Sequence, residues 1–262
     1  MKLLTFFALI AFCTCSFAQI KCQWNDKKVA FLGDSISDKA HIGTKKNYWQ
    51  FLEETLGIKP VVYAINGNQF SGLTAQARLA KKDHPDIDAV IVFAGTNDFN
   101  RSVPIGEWFS YDYKKVQADD KTELRKHRNL VLDKNTLKGR INALMVLLKS
   151  EFPDKQIIFL TPIHRSYAKF GEKNIQPDES YANALGLFID DYVKAVKETS
   201  NIWAVPVIDL NSICGLYPNE PKHYQYFSNK DIDRLHPNAK GHQRMAMALT
   251  YALLQYPATF EQ

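Results

Sequence analysis

Apolar runs alternate along the chain with stretches of helical periodicity. The predicted strands are residues 28–32, 60–65, 89–94, 156–160 and 202–208. Four of these five runs are almost continuously apolar, which is typical of strands buried on both faces. Because helical stretches separate them, the pattern predicts an α/β fold, in which helices flank both faces of a five-stranded parallel sheet.

Apolar residues at intervals of three or four predict helices across 137–148, 181–196 and 245–253. Pro237 precedes the last of these and suits a first helical position. The connections that leave the predicted strands after Ala94, Thr161 and Asp209 are long, whereas those that enter strands are short. Since ligands bind at the carboxyl ends of strands in open α/β sheets, the long loops mark the expected site.

The amino-acid composition limits the classes of protein to which the chain can belong. With 45% hydrophobic residues among 262, the chain can build a large core. Its net charge of +5 is dispersed rather than gathered in a basic stripe, so no nucleic-acid partner is expected. Because we find no internal repeat and no low-complexity linker, we expect one domain over residues 19–262.

The first 18 residues are typical of a secretory signal peptide. Lys2 is followed by an apolar stretch, 3–12, and by Ser16-Phe17-Ala18, a small-x-small cleavage site. We expect cleavage after Ala18, a secreted or periplasmic protein, and no stable membrane span. Lipoprotein anchoring through Cys13 or Cys15 is the alternative, but neither follows the small residue usual at such sites.

No metal or cofactor is expected. The histidines show no metal-ligand spacing, and Cys22 and Cys214 form no Cys-x-x-Cys motif. In an exported protein these two cysteines could pair or stay separate thiols, and the sequence leaves both open. The phosphate-cradling motif that a nucleotide or flavin binder would need is missing.

Candidate chemistry lies where the predicted strands end. The first strand leads into Gly33-Asp34-Ser35, which places a serine hydroxyl beside backbone N–H groups. The third leads into Gly95-Thr96-Asn97-Asp98, where the Asn97 amide can donate to an oxyanion or merely cap a turn. The glycines of 66–72, after the second strand, permit close approach of the backbone to a ligand.

An acid–base pair precedes the last helix. In Asp233-Arg234-Leu235-His236, a carboxylate three residues earlier can hold one imidazole nitrogen while the other takes a proton. Each of these signals alone is more commonly a turn, a cap or a solvated histidine. Their convergence at one edge of a parallel sheet favours an active site.

The motifs Gly33-Asp34-Ser35, Gly72, Gly95-x-Asn97-Asp98 and Asp233-x-x-His236 resemble the four blocks of SGNH (GDSL-type) hydrolases in order and spacing. The similarity covers essentially the whole mature chain. It implies a three-layer, flavodoxin-like fold with strand order 2-1-3-4-5. The Gly-x-Ser-x-Gly elbow of ordinary α/β-hydrolases is missing.

The resemblance also implies roles for individual residues. Ser35 would be the nucleophile, His236 the base and Asp233 its orienting partner. The oxyanion hole would comprise the Ser35 and Gly72 backbone N–H groups and the Asn97 side chain. Gly67 is the alternative for the second block, although Ser71-Gly72 fits the family's Ser-Gly pair better.

Further substrate contacts are candidates in the loops. Asp34 adjoins the nucleophile, and His164 and Arg165 follow the fourth strand, where loops are enriched in function. In the insertion 101–135, the aromatic segment around Trp108 could stack on a sugar or plug the loop against the domain. The composition of the charged segment 114–128 is typical of a solvated face.

The expected function is a secreted serine esterase that removes acetyl or other short acyl groups from a carbohydrate. Its partner would be a small-molecule or glycan ester; the oligomeric state does not follow from the sequence. A lipase, lysophospholipase or thioesterase of the same family is an alternative, although no apolar loop indicates an acyl channel. A non-catalytic carbohydrate-binding protein on this scaffold is the alternative from another class.

Overall fold

A computed structural model describes residues 20–260 of the chain. The predicted signal peptide, its cleavage site after Ala18, and Cys13 and Cys15 lie outside the described residues. The strands are β1 (Lys28–Gly33), β2 (Lys59–Val62), β3 (Ala89–Phe93), β4 (Phe109–Ala118), β5 (Lys121–Leu130), β6 (Gln156–Leu160), β7 (Ala168–Lys169), β8 (Ile175–Gln176), β9 (Val207–Ile208), β10 (Phe227–Asn229) and β11 (Asp233–Pro237). The helices are α1 (Tyr48–Leu56), α2 (Phe70–Asp83), α3 (Thr96–Asn100), α4 (Leu137–Glu151), α5 (Ile189–Trp203), α6 (Leu210–Ile213) and α7 (Ala239–Leu253), with a 3₁₀ helix at Pro221–Tyr226.

The central sheet has five parallel strands in the order β2-β1-β3-β6-β9. Numbered along the sheet's own strands, this is 2-1-3-4-5, so the predicted fold class and strand order are confirmed. β1, β3 and β6 start and end within one residue of their predicted bounds. Every residue of β3 and β6 is buried, which explains their continuous apolar sequences.

Alternate residues of each strand feed two cores on opposite faces of the sheet. On one face, Leu32 and Val92 join a cluster with residues of α2, α4 and α5. On the other, Phe31 and Ile91 join a cluster with residues of α1 and α7. The result is the expected three-layer arrangement of helices, sheet and helices.

The fifth predicted strand was too long. Of the run 202–208, only Val207–Ile208 forms a strand, while Ile202 and Trp203 complete α5. The helix then stops at Ala204, which has a left-handed φ of 51°. The Trp203 indole donates to the Asn142 side chain at 2.9 Å, which fixes the end of α5 against α4.

Two helix starts also differ from prediction. The helix expected from residue 181 begins at Ile189, because the Asn183 Oδ1 accepts hydrogen bonds from the Leu185 and Leu187 amides and folds that segment into a turn. The last helix is capped by Asn238, whose side chain accepts from two amides of the first turn. Pro237 is therefore the end of β11 and not a first helical residue.

The insertion after β3 forms a long antiparallel hairpin, β4–β5, which stands away from the central sheet. Nearly all of its residues are exposed, including the charged segment 114–128. A separate small sheet, in the order β10-β11-β7-β8, carries Asp233 and His236. Cys22 and Cys214 are free thiols in the structure.

Within residues 20–260, no helix combines the length and the apolar character needed to cross a membrane. That residues 19–262 form a single domain stays a prediction.

Candidate active site

Ser35 follows β1 directly, at the carboxyl edge of the central sheet. The strand reaches this position through Gly33, where a Cβ atom would lie 2.3 Å from the Phe93 carbonyl oxygen of β3. The Gln76 side chain of α2 bonds both the N–H and the C=O of Gly33, at 2.8 and 2.9 Å. A glycine and a buried amide therefore fix the backbone that presents Ser35.

His236 lies next to Ser35 although it comes from the small sheet. Its Nε2 is 2.9 Å from the Ser35 Oγ, and its Nδ1 is 3.0 Å from the Asp233 Oδ2. This geometry suits a neutral imidazole that keeps its proton on Nδ1 and accepts the serine proton at Nε2. All three side chains are largely buried, so little water competes for these hydrogen bonds.

The Asp233 carboxylate is stabilised in its charged form. Burial disfavours the charge, but the hydrogen bond from His236, the positive charge of this ring when it is protonated, and the amides of Leu235 and His236 outweigh burial and lower the pKa of Asp233. The carboxylate is thus ionised and can orient the imidazole.

Three donors surround the space in front of Ser35. The backbone N–H groups of Ser35 and Gly67 meet no acceptor among the residues that the structure describes. Asn97 contributes a side-chain amide. Its Nδ2 donates to the Asn68 carbonyl at 3.0 Å and more weakly to the Asp34 Oδ2 at 3.4 Å, so an oxyanion would replace one of these two acceptors. Ser35, Gly67, Asn97 and His236 line the same cleft. The arrangement can hold a developing oxyanion next to the hydroxyl.

The N–H of Gly72, the predicted second-block donor, is engaged at the start of α2. Its N–H donates to the Gln69 carbonyl at 2.9 Å in the first turn of α2, and Gly72 does not line the cleft of Ser35. Gly67, the alternative for the second block, has a φ of +77°, and a Cβ atom placed on it would meet no described atom within 4 Å. Of the two candidate glycines, Gly67 is the one that lines the cleft of Ser35.

Asp34 is buried beside the nucleophile rather than exposed to a ligand. Its carboxylate accepts from the Ile36 amide at 3.1 Å and lies 3.4 Å from the Asn97 Nδ2. Burial raises the pKa of Asp34 to about 7, a shift that the Ile36 amide and the His236 charge only partly oppose. Asp34 therefore contacts Asn97, the predicted oxyanion donor, and does not line the cleft.

A buried ion pair, which no sequence motif indicated, packs next to the residues of the cleft. Arg140 of α4 donates to Asp98 at 2.8 Å, and the other Asp98 oxygen accepts from the Phe70 amide at 3.0 Å. Burial raises the pKa of Asp98, against the hydrogen bonds from Phe70 and Arg140. The ion pair connects α3, which carries Asn97, to α4, and the Phe70 amide connects Asp98 to the start of α2.

The cleft has a volume of about 410 Å³ and is lined mostly by polar side chains. Amides dominate the lining, and apolar contacts come from a few side chains including Phe170, whose ring centroid lies 5.3 Å from that of His236. The amide side chains are Asn66, Asn97, Asn100, Asn174 and Gln176. No sequence signal indicated the 170–176 wall, because the hairpin β7–β8 reaches the cleft only through tertiary packing.

The other predicted contact residues do not line the cleft. His164 pairs with Glu179 at 2.7 Å, an interaction that raises the pKa of His164. Arg165 is buried and donates hydrogen bonds to the side chains of Asn100 and Gln176. It therefore positions two residues of the cleft wall and does not line the cleft itself. Trp108 is buried in the core and donates to Glu198 at 2.7 Å, which favours the plug over the sugar contact.

Within the described part of the chain, no group of three or more His, Cys, Asp or Glu side chains could hold a metal ion. Asp209, at the end of β9, accepts from Thr161 and pairs with Lys197, and so has a local structural role.

Comparison with known proteins gives one family. A family model for the "GDSL-like Lipase/Acylhydrolase family" matches residues 31–244, while no curated protein matches the chain. Among solved structures, a Lactobacillus plantarum protein is similar with a TM-score of 0.67 and 25% identity, over 88% of this chain and 98% of that one. A "possible lipase" of Chitinophaga pinensis has a TM-score of 0.62 and 20% identity, over 87% and 98%. An acetyl xylan esterase has a TM-score of 0.53 and 19% identity, over 86% and 99%.

Proposed function

Because the chain belongs to the GDSL-like lipase/acylhydrolase family, also called SGNH hydrolases, and is a hydrolase of ester bonds, we propose that it works as a serine esterase through Ser35, His236 and Asp233. The single observation that carries this proposal is the 2.9 Å contact between the Ser35 Oγ and the His236 Nε2. A hydroxyl within hydrogen-bond reach of an imidazole that a third group orients is the arrangement of an activated nucleophile, and the lowered pKa of the third member, Asp233, keeps it ionised.

The reaction has two halves. The Ser35 Oγ attacks the ester carbonyl carbon while its proton passes to the His236 Nε2, and Asp233 stabilises the imidazolium that forms. The tetrahedral intermediate collapses when His236 returns that proton to the departing alcohol, which leaves an acyl-serine. Water then attacks the acyl-serine by the same proton transfers, and the released acid restores the free Ser35 hydroxyl.

Negative charge develops on the former carbonyl oxygen in both halves. We assign its stabilisation to the backbone N–H groups of Ser35 and Gly67 and to the Asn97 side-chain amide. Two of these groups are positioned before substrate arrives, since Ser35 follows β1 and Asn97 lies on α3, which the Asp98–Arg140 pair holds against α4.

The substrate we propose is a carbohydrate carrying an acetyl or other short acyl group. Amide-rich walls suit hydroxyl groups of sugars better than a long acyl chain, and an acetyl xylan esterase is among the similar folds. A lipase or lysophospholipase would need an apolar channel at Ser35. The apolar groove between α1 and α7, lined by Phe51, Met247 and Tyr251, contains neither Ser35 nor His236.

The proposal includes export of the protein from the cytoplasm. A signal peptide over residues 1–18 would deliver a mature domain, 19–262, to the periplasm or the medium. Mass spectrometry of protein recovered from those fractions should give an N-terminus at Gln19, and a chain that keeps residues 1–18 would contradict it.

The experiment is hydrolysis of 4-nitrophenyl esters, graded from acetate to octanoate, by the wild type and by Ser35→Ala. We expect the acetate to be the best substrate and the variant to be inactive while keeping its melting temperature. An inactive but folded wild type would favour a non-catalytic binding protein. A preference for octanoate would favour the lipase alternative, and an active variant would exclude Ser35 as nucleophile.

A further inference from the structure

The charged side chains at the mouth of the cleft are all basic. Besides His236, the cleft is lined by Arg101 and Lys173, and no Asp or Glu is among its described lining residues. The other polar lining groups are neutral amides. A ligand in this cleft therefore meets positive charge that no lining carboxylate offsets.

Arg101 is hydrogen-bonded through its backbone to Asn97, a residue of the proposed oxyanion hole. It ends α3, one helical turn after Asn97, and its amide donates to the Asn97 carbonyl at 3.0 Å. The side chain is exposed and has no carboxylate partner among the described residues. The nearest acid on the same helix, Asp98, is already neutralised by Arg140.

Lys173 approaches from a different element. It lies in the turn between β7 and β8, three residues after Phe170, whose ring packs beside the His236 imidazole. The adjacent Glu172 pairs with Lys169 at 3.1 Å and so leaves Lys173 unpaired among the described residues. The acids that follow β8 are engaged as well, since Glu179 holds His164.

We propose that the ester substrate carries an anionic group, which Arg101 and Lys173 bind from α3 and from the β7–β8 turn. This rests on the proposed function: because the acyl group is short, the charge lies on the alcohol part of the ester. Carboxylate and phosphate share the required chemistry, and the guanidinium of Arg101 can bind either through two parallel hydrogen bonds. An acidic sugar is the substrate class that joins this charge to the amide-rich walls.

The test compares esters of one shape and different charge. The substrates are 4-acetoxybenzamide, which is neutral, 4-acetoxybenzoate, and 4-acetoxyphenyl phosphate. Each kcat/KM is divided by the rate constant for reaction of the same ester with neutral imidazole, which removes differences in leaving-group reactivity without the charge repulsion that hydroxide would add. We expect the wild type to prefer the anionic esters by about fivefold, the scale of one well-placed exposed ion pair.

The double variant Arg101→Gln/Lys173→Gln should bring this preference to about one. The matched control, Lys82→Gln/Lys149→Gln, removes the same charge from exposed positions in the last turns of α2 and α4 and should keep the wild-type preference. Raising the salt concentration should reduce the preference of the wild type. Because the phosphate carries nearly two negative charges and the carboxylate one, a phosphorylated ligand is favoured only if the preference for the phosphate exceeds the square of the preference for the carboxylate.

Equal normalised rates for neutral and anionic esters in the wild type would overturn the proposal, as would a preference that survives in the Arg101/Lys173 variant. The proposed esterase function is judged separately, because hydrolysis of 4-acetoxybenzamide and its loss in Ser35→Ala do not depend on charge. If only the charge preference is missing, the esterase proposal stands and this inference fails.

Discussion

The Ser35 hydroxyl and the His236 imidazole are 2.9 Å apart although 201 positions separate them in the chain. Ser35 is held by the first strand of the central sheet, and His236 by a strand of the small four-stranded sheet beside it. The active site is therefore formed between two sheets, and the packing of the small sheet determines whether the proposed nucleophile has its base.

Asp233→Asn tests the orienting role of the carboxylate. The amide is the same size and still accepts from the amides of Leu235 and His236, so the fold should be kept. It cannot stabilise an imidazolium, and it can favour the wrong imidazole tautomer, so we expect kcat to fall by up to about 10⁴. Stopped assays with 4-nitrophenyl acetate measure this, and a fall below about tenfold would contradict the assignment.

Asn97→Ala tests the side-chain donor of the oxyanion hole. Loss of one donor should lower kcat by about 10²–10³ with little effect on KM, because the interaction is made mainly in the transition state. The change also frees the Asn68 carbonyl, so a thermal melt must accompany the kinetics. A rise in KM with unchanged kcat would instead assign Asn97 to substrate binding.

Gly67→Ala and Gly72→Ala form a matched pair that separates the two candidate glycines. Alanine at Gly67 keeps a φ near +77° only at a cost of about 1 kcal/mol, and relaxation to a negative φ would turn the amide away from the oxyanion position. We expect at least a tenfold loss of kcat there. At Gly72 the new methyl group meets only the end of the Asn68 side chain, and helix propensity favours alanine, so activity should change by about twofold or less. The reverse pattern would restore Gly72 as the donor.

These positions show how far a sequence predicts such a site. Ser35 and Asn97 could be proposed because residue type and position at a strand end are both visible in the sequence, and His236 because Asp233 precedes it by three residues. The choice between Gly67 and Gly72 could not, since it depends on which amide remains free after α2 forms. A local motif match favoured Gly72, but the first turn of the helix uses that amide.

For the fold as well, some elements could be predicted from the sequence and others could not. Strands buried on both faces, such as β3 and β6, were predicted almost residue by residue because burial alone sets their composition. The prediction of a strand over 202–208 was wrong in length, because this one apolar stretch forms both the end of α5 and a two-residue strand. The cleft wall at 170–176 depends on contacts between β7 and β11, which no local pattern records.

Asp34→Asn tests the buried carboxyl beside the nucleophile through the pH dependence of stability. The pKa of Asp34 rises from an ordinary 3.8 to about 7 on burial. Between these values the unfolded chain has lost the proton while the folded protein keeps it, so the free energy of unfolding falls as pH rises from about 4 to about 7. The shift corresponds to ~4 kcal/mol at most.

Urea unfolding at several pH values measures this effect. The Asp34→Asn variant should lose the part of the decline that lies between pH 4 and 7, whereas Asp231→Asn, on the exposed turn before β11, should retain it. If wild type and Asp34→Asn have parallel stability profiles across that range, the carboxyl does not titrate as its burial implies.

Removing the β4–β5 hairpin tests whether it takes part in hydrolysis of small esters. Ser110 and Asn129 face each other in the hairpin register, so residues 111–128 can be replaced by a two-residue Asn-Gly turn. No residue of that segment lines the cleft, and exposed side chains such as Tyr113 and Leu124 bury little area. We therefore expect kcat/KM for 4-nitrophenyl acetate to stay within about twofold and the melting temperature within about 3 °C.

The full-length variant Tyr111→Ser/Tyr113→Ser is the control, because it removes two exposed rings while the hairpin backbone is kept. If the shortened protein matches wild type on small esters but releases less acetate from an acetylated glycan, and the control shows the same loss, the rings act on extended substrates. A tenfold loss of kcat/KM for 4-nitrophenyl acetate in a folded deletion variant would contradict this prediction. It would show that the hairpin stabilises the cleft although nearly all of its residues are exposed.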